Sequence, residues 1–120
     1  MLPPFRFYWF VEHLDLFEYF FHNMNMSKIY LFVDIDVKDG QRYGFLEKLK
    51  KHTEHVRTEP GCEKLEIFID AEHKDRVCVE EIWSSMADFD VHMKCDTSLA
   101  WRPVAAPFVH GEKITIMNPA

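Results

Sequence analysis

A chain of 120 residues, 48% apolar and 28% charged, has the size and balance of one globular domain rather than a disordered or fibrous segment. A formal net charge of −6 and a pI near 5.6 argue against a phosphate-backbone partner, so no nucleic acid is expected. No run of about 18 uncharged apolar residues is present, so no membrane partner or spanning helix is expected. Cys62, Cys78 and Cys95 form neither an even set nor a C-x-x-C pair, which points to reduced thiols in a cytoplasmic protein rather than to disulfides or a zinc knuckle.

Residues 1–25 differ from the rest: six of the 11 phenylalanines fall within the first 21 positions, beside Tyr8, Trp9 and Tyr19. A helix over Val11–Phe21 would align Leu14, Phe17 and Phe21 on one stripe. Glu12, Asp15 and Glu18 interrupt any signal-peptide core, and Arg6 is the sole basic residue there. Two readings stand side by side: an aromatic element packing on the domain or across a dimer, or a start upstream of a true initiator at Met26. A membrane-surface anchor fits less well, because its polar face would lack basic residues. The domain proper is taken as residues 26–120.

Lys28 to Val37 (KIYLFVDIDV) is rich in β-branched and aromatic residues and predicts a strand, stopped by Lys38-Asp39-Gly40. Gln41 to Thr58 carries Phe45, Leu49, His52 and Val56 at helical spacing, and Glu59-Pro60-Gly61 ends that helix. Cys62 to Asp70 alternates Leu65, Ile67 and Ile69 against Lys64, Glu66 and Phe68, a second strand. Arg76 to Trp83 is a third, forming a hairpin with the second. Ser84 or Ser85 can cap a helix from Met86 to about Lys94, with Asp88 in its first turn. A further helical piece is expected from Thr97 to Trp101, stopping before Pro103, and Gly111 to Met117 is the last strand.

The order β-α-β-β-α-β defines the fold class: an α+β, ferredoxin-like sandwich with helices on one face of an antiparallel sheet. Its strands carry apolar residues on both faces, so a second cover is needed. A face-to-face homodimer supplies one, giving a dimeric α+β barrel.

Several local patterns, in order, resemble the antibiotic biosynthesis monooxygenase family. They are the Val37-Lys38-Asp39-Gly40 turn into a helix with Phe45 and Leu49; the connection Glu59-Pro60-Gly61-Cys62; Val79-Glu80-Glu81-Ile82-Trp83-Ser84-Ser85; and Phe89-Asp90-Val91-His92-Met93. The resemblance spans residues 28–117 and implies the same fold, a small aromatic or quinol-type substrate with dioxygen, no cofactor, and His92 as the leading catalytic residue. Two departures stand out. Cys95-Asp96-Thr97-Ser98 replaces the family's common Thr-Pro-His-Phe stretch, so a second histidine is missing. Val33 and Trp101 occupy the positions nearest the asparagine and haem-ligating histidine of haem-degrading members, so haem degradation is not expected.

The candidate catalytic groups are therefore His92, Glu81 and Asp34. Histidine exchanges protons near neutral pH. Of Glu80 and Glu81, strand alternation sends one inward, where a carboxyl lacking a cation holds its proton more tightly. Asp34 and Asp36 share the face opposite Val33 and Ile35, and solvent is the simpler destination for both. Trp83 is either a core aromatic or a wall on which a flat substrate stacks. Phe45, Phe68 and Trp101 are the further substrate-lining candidates. His52 and His55, three apart on the first helix, lack a third ligand at suitable spacing, so no metal is expected. The chemistry expected is cofactor-free monooxygenation. The alternatives are isomerisation of a phosphorylated dicarbonyl, for which Lys28, Arg42, Lys64 and Lys94 form no evident phosphate grip, and a non-catalytic small-molecule-binding dimer.

Overall fold

The computed structural model describes residues 27–120, so the expectations for residues 1–25 lie outside the described residues. Strand β1 (Ile29–Val37) buries Ile29, Leu31, Val33, Ile35 and Val37 and turns Tyr30, Phe32, Asp34 and Asp36 to the other face. Such strict alternation of β-branched residues suits a central strand covered on one side. After the turn at Gly40, helix α1 (Arg42–Val56) lays Phe45, Leu49, Thr53 and Val56 on the sheet. Strands β2 (Cys62–Ile69) and β3 (Arg76–Trp83) follow as a hairpin. In their connection the Asp70 carboxylate accepts the backbone N–H groups of Glu72 and His73, at 2.8 and 3.0 Å.

Ser85 caps helix α2 (Met86–Lys94), its hydroxyl accepting the Asp88 N–H at 3.1 Å. Helix α3 (Asp96–Ala105) begins one residue after Cys95, and β4 (Val109–Met117) closes the sheet. Three boundaries differ from the sequence expectation by two residues or more, the first being α1, which ends at Val56 rather than Thr58. Helix α3 runs through Pro103 rather than stopping at Trp101. The proline withholds one N–H from the Leu99 carbonyl, but Leu99 is exposed, so water can fill that bond. Strand β4 starts two residues earlier than expected, where the Ala106–Phe108 turn of 3-10 helix ends and Val109 pairs with Val37.

The strand order is β2-β3-β1-β4 and every pair is antiparallel. The described helices cover one face, which holds the core and the inward row Leu65–Glu81–Leu31–Ile116. The other face carries Phe32, Phe68 and Met117, all more than two-fifths exposed. Ion pairs of Lys64 with Glu80 and of Arg76 with Asp34 and Asp70 lie among them. Among the described residues, no helix is long and apolar enough to cross a membrane.

Candidate functional site

The chemistry-bearing residues converge beneath α2, where the end of β3 meets the helix. Glu81 and Trp83 share the inward face of β3, two residues apart, and the Trp83 indole N–H donates to Glu81 Oε1 at 2.8 Å. Trp83 is fully buried, and its ring stacks on that of His92 with centroids 4.7 Å apart and planes 27° apart. Position 92 lies in the last turn of α2, so the cap at Ser85 and the helical pitch together aim the imidazole over the indole.

His92 is held from its other side by a residue treated in the sequence only as a helix terminator. Glu59 Oε1 lies 2.7 Å from His92 Nδ1, and both side chains are about nine-tenths buried. Gly61 makes that approach possible. It adopts φ +85°, and a Cβ there would sit 2.4 Å from the Asp88 side chain. Its carbonyl accepts the Ser84 N–H at 2.8 Å, tying the turn to the start of α2. Ser98 Oγ lies 3.3 Å from the same imidazole nitrogen, and the Cys95 thiol is 3.6 Å from Ser98 Oγ. A carboxylate at Nδ1 favours the neutral tautomer that carries its proton on Nδ1 and leaves Nε2 as the acceptor.

Burial raises the Glu81 carboxyl above the usual carboxylate range, and the Trp83 N–H and nearby His92 oppose that rise. His52 is pushed down to about 4, chiefly by burial and then by His92 and His55, so it is neutral at pH 7. Its ring lies flat on Trp101, 4.5 Å away with planes 6° apart. His55 instead sits 3.1 Å from Thr97 Oγ1, so the two histidines of α1 do not converge.

Glu81, His92, Ser98, His52, Trp101 and Arg102 line a cavity of about 60 Å³ between sheet and helices. That is room for roughly two water molecules. A groove of about 520 Å³ on the helical surface, between α1 and α3, shares His52 and Trp101 with it. A larger concavity of about 670 Å³ lies around Asp34, Lys74, Arg76 and Lys113; there Asp34 is ion-paired with Arg76 and Lys74 with Asp39, and the space is open to solvent.

Of the expected site residues, the structure brings together His92, Glu81, Trp83 and Trp101 but not the others. Trp83 does not line the cavity; it backs Glu81 and His92 from behind, because its register with Cys62 and Ile29 places it at the covered end of the sheet. Asp34 is on the opposite face, bonded to Arg76 and to the Cys78 thiol, and these contacts hold its carboxyl below its ordinary range. Phe68 is beside it on that outer face, directly across from Cys78. Strand alternation puts both there, away from His92. Phe45 is core, tilted between Trp101 and Phe108 with centroids near 6 Å. Glu59, Ser98 and Arg102 were not singled out from the sequence. The signal for Glu59 lay in the Glu-Pro-Gly-Cys connection, which resembles a family signature but shows a turn rather than a carboxylate's target.

A four-stranded antiparallel sheet with helices on one face, enclosing a histidine and two carboxyls, defines an α+β ferredoxin-like domain built around a small internal site. Residues 28–104 match the family model for antibiotic biosynthesis monooxygenase, and the chain belongs to that family. No curated protein is matched by the chain. Solved structures share the fold. A conserved protein from Methanosarcina mazei Go1 superposes with a TM-score of 0.74 at 19% identity, over 82% of this chain and 98% of that one. A Nitrosomonas europaea protein described as a candidate antibiotic biosynthesis monooxygenase gives 0.73 at 22% identity, over 78% and 90%. Rv0793 from Mycobacterium tuberculosis gives 0.72 at 17%, over 78% and 96%. At these identities the likeness is one of fold.

Proposed function

We propose that the domain is a cofactor-independent monooxygenase for a small aromatic or quinol-type substrate, with His92 as the proton acceptor. One observation carries this reading: an imidazole whose Nδ1 is fixed by Glu59 lines the same cavity as Glu81, a carboxyl that burial pushes above its usual range. Oxidising an activated ring CH2 to a carbonyl with dioxygen needs one base and a dry, oriented site. His92 Nε2 takes a proton, and the resulting carbanion supplies electrons to dioxygen. One oxygen atom ends in the product carbonyl and the other leaves as water with two hydrogens from the substrate. Glu81, whose carboxyl burial pushes above its usual range, is the proposed donor for the departing oxygen.

The cavity has room for dioxygen but not for an aromatic ring. In this reading the substrate enters from the groove, and its ring reaches His92 when the stacked His52–Trp101 pair, which lines both spaces, shifts aside. A volume near 520 Å³ falls within the range of small-molecule sites. Trp83 acts by positioning Glu81 and His92 rather than by touching substrate. We further propose that a second copy of the chain covers the face bearing Phe32, Phe68 and Met117, since large exposed apolar side chains grouped on one sheet face mark interfaces.

Oxygen uptake with a panel of quinols and anthrone-like phenols tests the reading. His92→Ala is expected to reduce uptake by roughly 10²–10⁴-fold, the usual worth of a general base. Uptake unchanged in His92→Ala removes His92 from the mechanism. Ligand binding by thermal shift without turnover of any bound phenol moves the domain to a non-catalytic binder.

A further inference from the structure

We propose that Glu59, His92 and Cys95 form a binding site for a zinc-like divalent cation. The three come from separate places: the turn after α1, the last turn of α2, and the single residue joining α2 to α3. Their donor atoms all lie within 4.8 Å of one another. Nδ1 to Glu59 Oε1 is 2.7 Å and Cys95 Sγ to Oε1 is 3.9 Å, while Ser98 Oγ stands 3.3 Å from Nδ1 and 3.6 Å from Sγ.

A tetrahedral ion with bonds of about 2.0–2.3 Å needs neighbouring donors about 3.3–3.7 Å apart. Those four distances run from 2.7 to 3.9 Å and the three ligand atoms stay within 4.8 Å of one another, so the side chains have to even out these spacings to coordinate an ion. Ser98 Oγ occupies the fourth corner, either as donor or as the anchor of a bound water.

A second observation points the same way. Glu59 Oε2 is buried and has no hydrogen-bond partner among the described residues. A carboxylate oxygen left bare in a protein interior is costly, and a cation held through Oε1 would offset the charge shared by both oxygens of that carboxylate. The donor chemistry selects the ion: one thiolate, one imidazole and one carboxylate are a borderline set that favours zinc or cobalt over calcium or magnesium. Thiolate and carboxylate together also balance two positive charges, which a buried site requires. The spacing that argued against a metal in the sequence, His52 and His55 with no third ligand, concerns other residues. Glu59 is 33 positions from His92, so no short ligand motif could show this cluster.

The site does not rest on the monooxygenase reading, though it shares His92 with it. An ion on Nδ1 replaces the proton shared with Glu59 and leaves Nε2 carrying the ring proton. An occupied site and a His92 base therefore exclude each other.

The test uses the full chain stripped of metal with chelator and titrated with cobalt(II). The expected result is one tightly bound equivalent with a sulfur-to-cobalt charge-transfer band and the visible bands of tetrahedral cobalt, both bleached by zinc. Cys95→Ser abolishes the charge-transfer band, whereas Cys62→Ser and Cys78→Ser keep it. Glu59→Gln weakens binding on the order of tenfold or more. Because Cys95→Ser can also disturb packing, a second readout needs no variant: zinc should shield Cys95, but not Cys62 or Cys78, from alkylation as read by peptide mass. Absence of a thiolate band in the native chain overturns the proposal, as does a band that survives in Cys95→Ser or zinc that leaves Cys95 alkylation unchanged. These binding measurements make no use of turnover, so a failed oxygen-uptake assay leaves them standing, and the reverse also holds.

Discussion

The bond from the Trp83 indole to Glu81 makes the sharpest energetic test, because both groups are buried and each is the other's partner. Trp83→Phe removes roughly 40 Å³ of side chain, and at about 24 cal/mol per Å³ of cavity that costs about 1 kcal/mol. It also removes the indole N–H and leaves a buried carboxyl acceptor unsatisfied, a further cost of about 1–3 kcal/mol. The single variant should lose about 2–4 kcal/mol, a large share of the stability of a domain this size. Glu81→Leu orphans the N–H instead and carries a similar penalty, partly offset because an ionisable group no longer has to be buried. In Trp83→Phe/Glu81→Leu neither orphan remains. The double variant should therefore cost less than the sum of the singles by about 2 kcal/mol or more. Urea unfolding at fixed protomer concentration measures all four corners of the cycle. Strictly additive losses would refute the reasoning, since they would mean that Glu81 finds an equivalent partner when the indole is gone.

Three other perturbations probe separate features. The folded state withholds a proton from His52 down to about pH 4, while the unfolded chain takes it near 6.5, so the unfolded state binds more protons in between. Stability should fall as pH drops through that window, with a slope softened by partial exposure, and His52→Phe should flatten the limb while keeping the stack on Trp101; identical limbs in thermal scans would count against it. Gly61→Ala should cost at least about 2 kcal/mol, from positive φ and from the Asp88 clash, whereas Gly40→Ala, at φ +73° with open space around it, should cost about 1 kcal/mol. Equal unfolding midpoints for the two variants would contradict the close packing described at Gly61. Phe32→Asp should shift sedimentation of the chain to the monomer, and a variant that sediments like the native chain would remove the outer sheet face as the interface.

Much of the fold was legible because its signals are local. The alternation of β1, the Phe45-Leu49-Val56 stripe of α1 and the Ser85–Asp88 cap are written within a few residues, where backbone period and capping chemistry act directly. The misjudged ends were those at which a local rule met a tolerant context. Pro103 stays inside α3 where Leu99, whose carbonyl it deprives, is an exposed residue, and β4 gains two residues through pairing with Val37 across 72 positions.

The candidate site was only half legible, and the division follows sequence distance. By itself the sequence determined that one glutamate of the Glu80–Glu81 pair must point inward and that a histidine rides on the following helix. It also determined that Glu59-Pro60-Gly61 must end α1. Strand alternation already placed Asp34 and Phe68 on the far face; tertiary structure alone decided that Trp83 backs the cavity instead of lining it and that Glu59 meets His92. A side chain's direction along a strand follows from a period of two, but its partner depends on how separate elements dock. Here the docking of the α1–β2 turn against α2, permitted by the missing Cβ of Gly61, is what turns a helix terminator into the carboxylate that holds the central histidine.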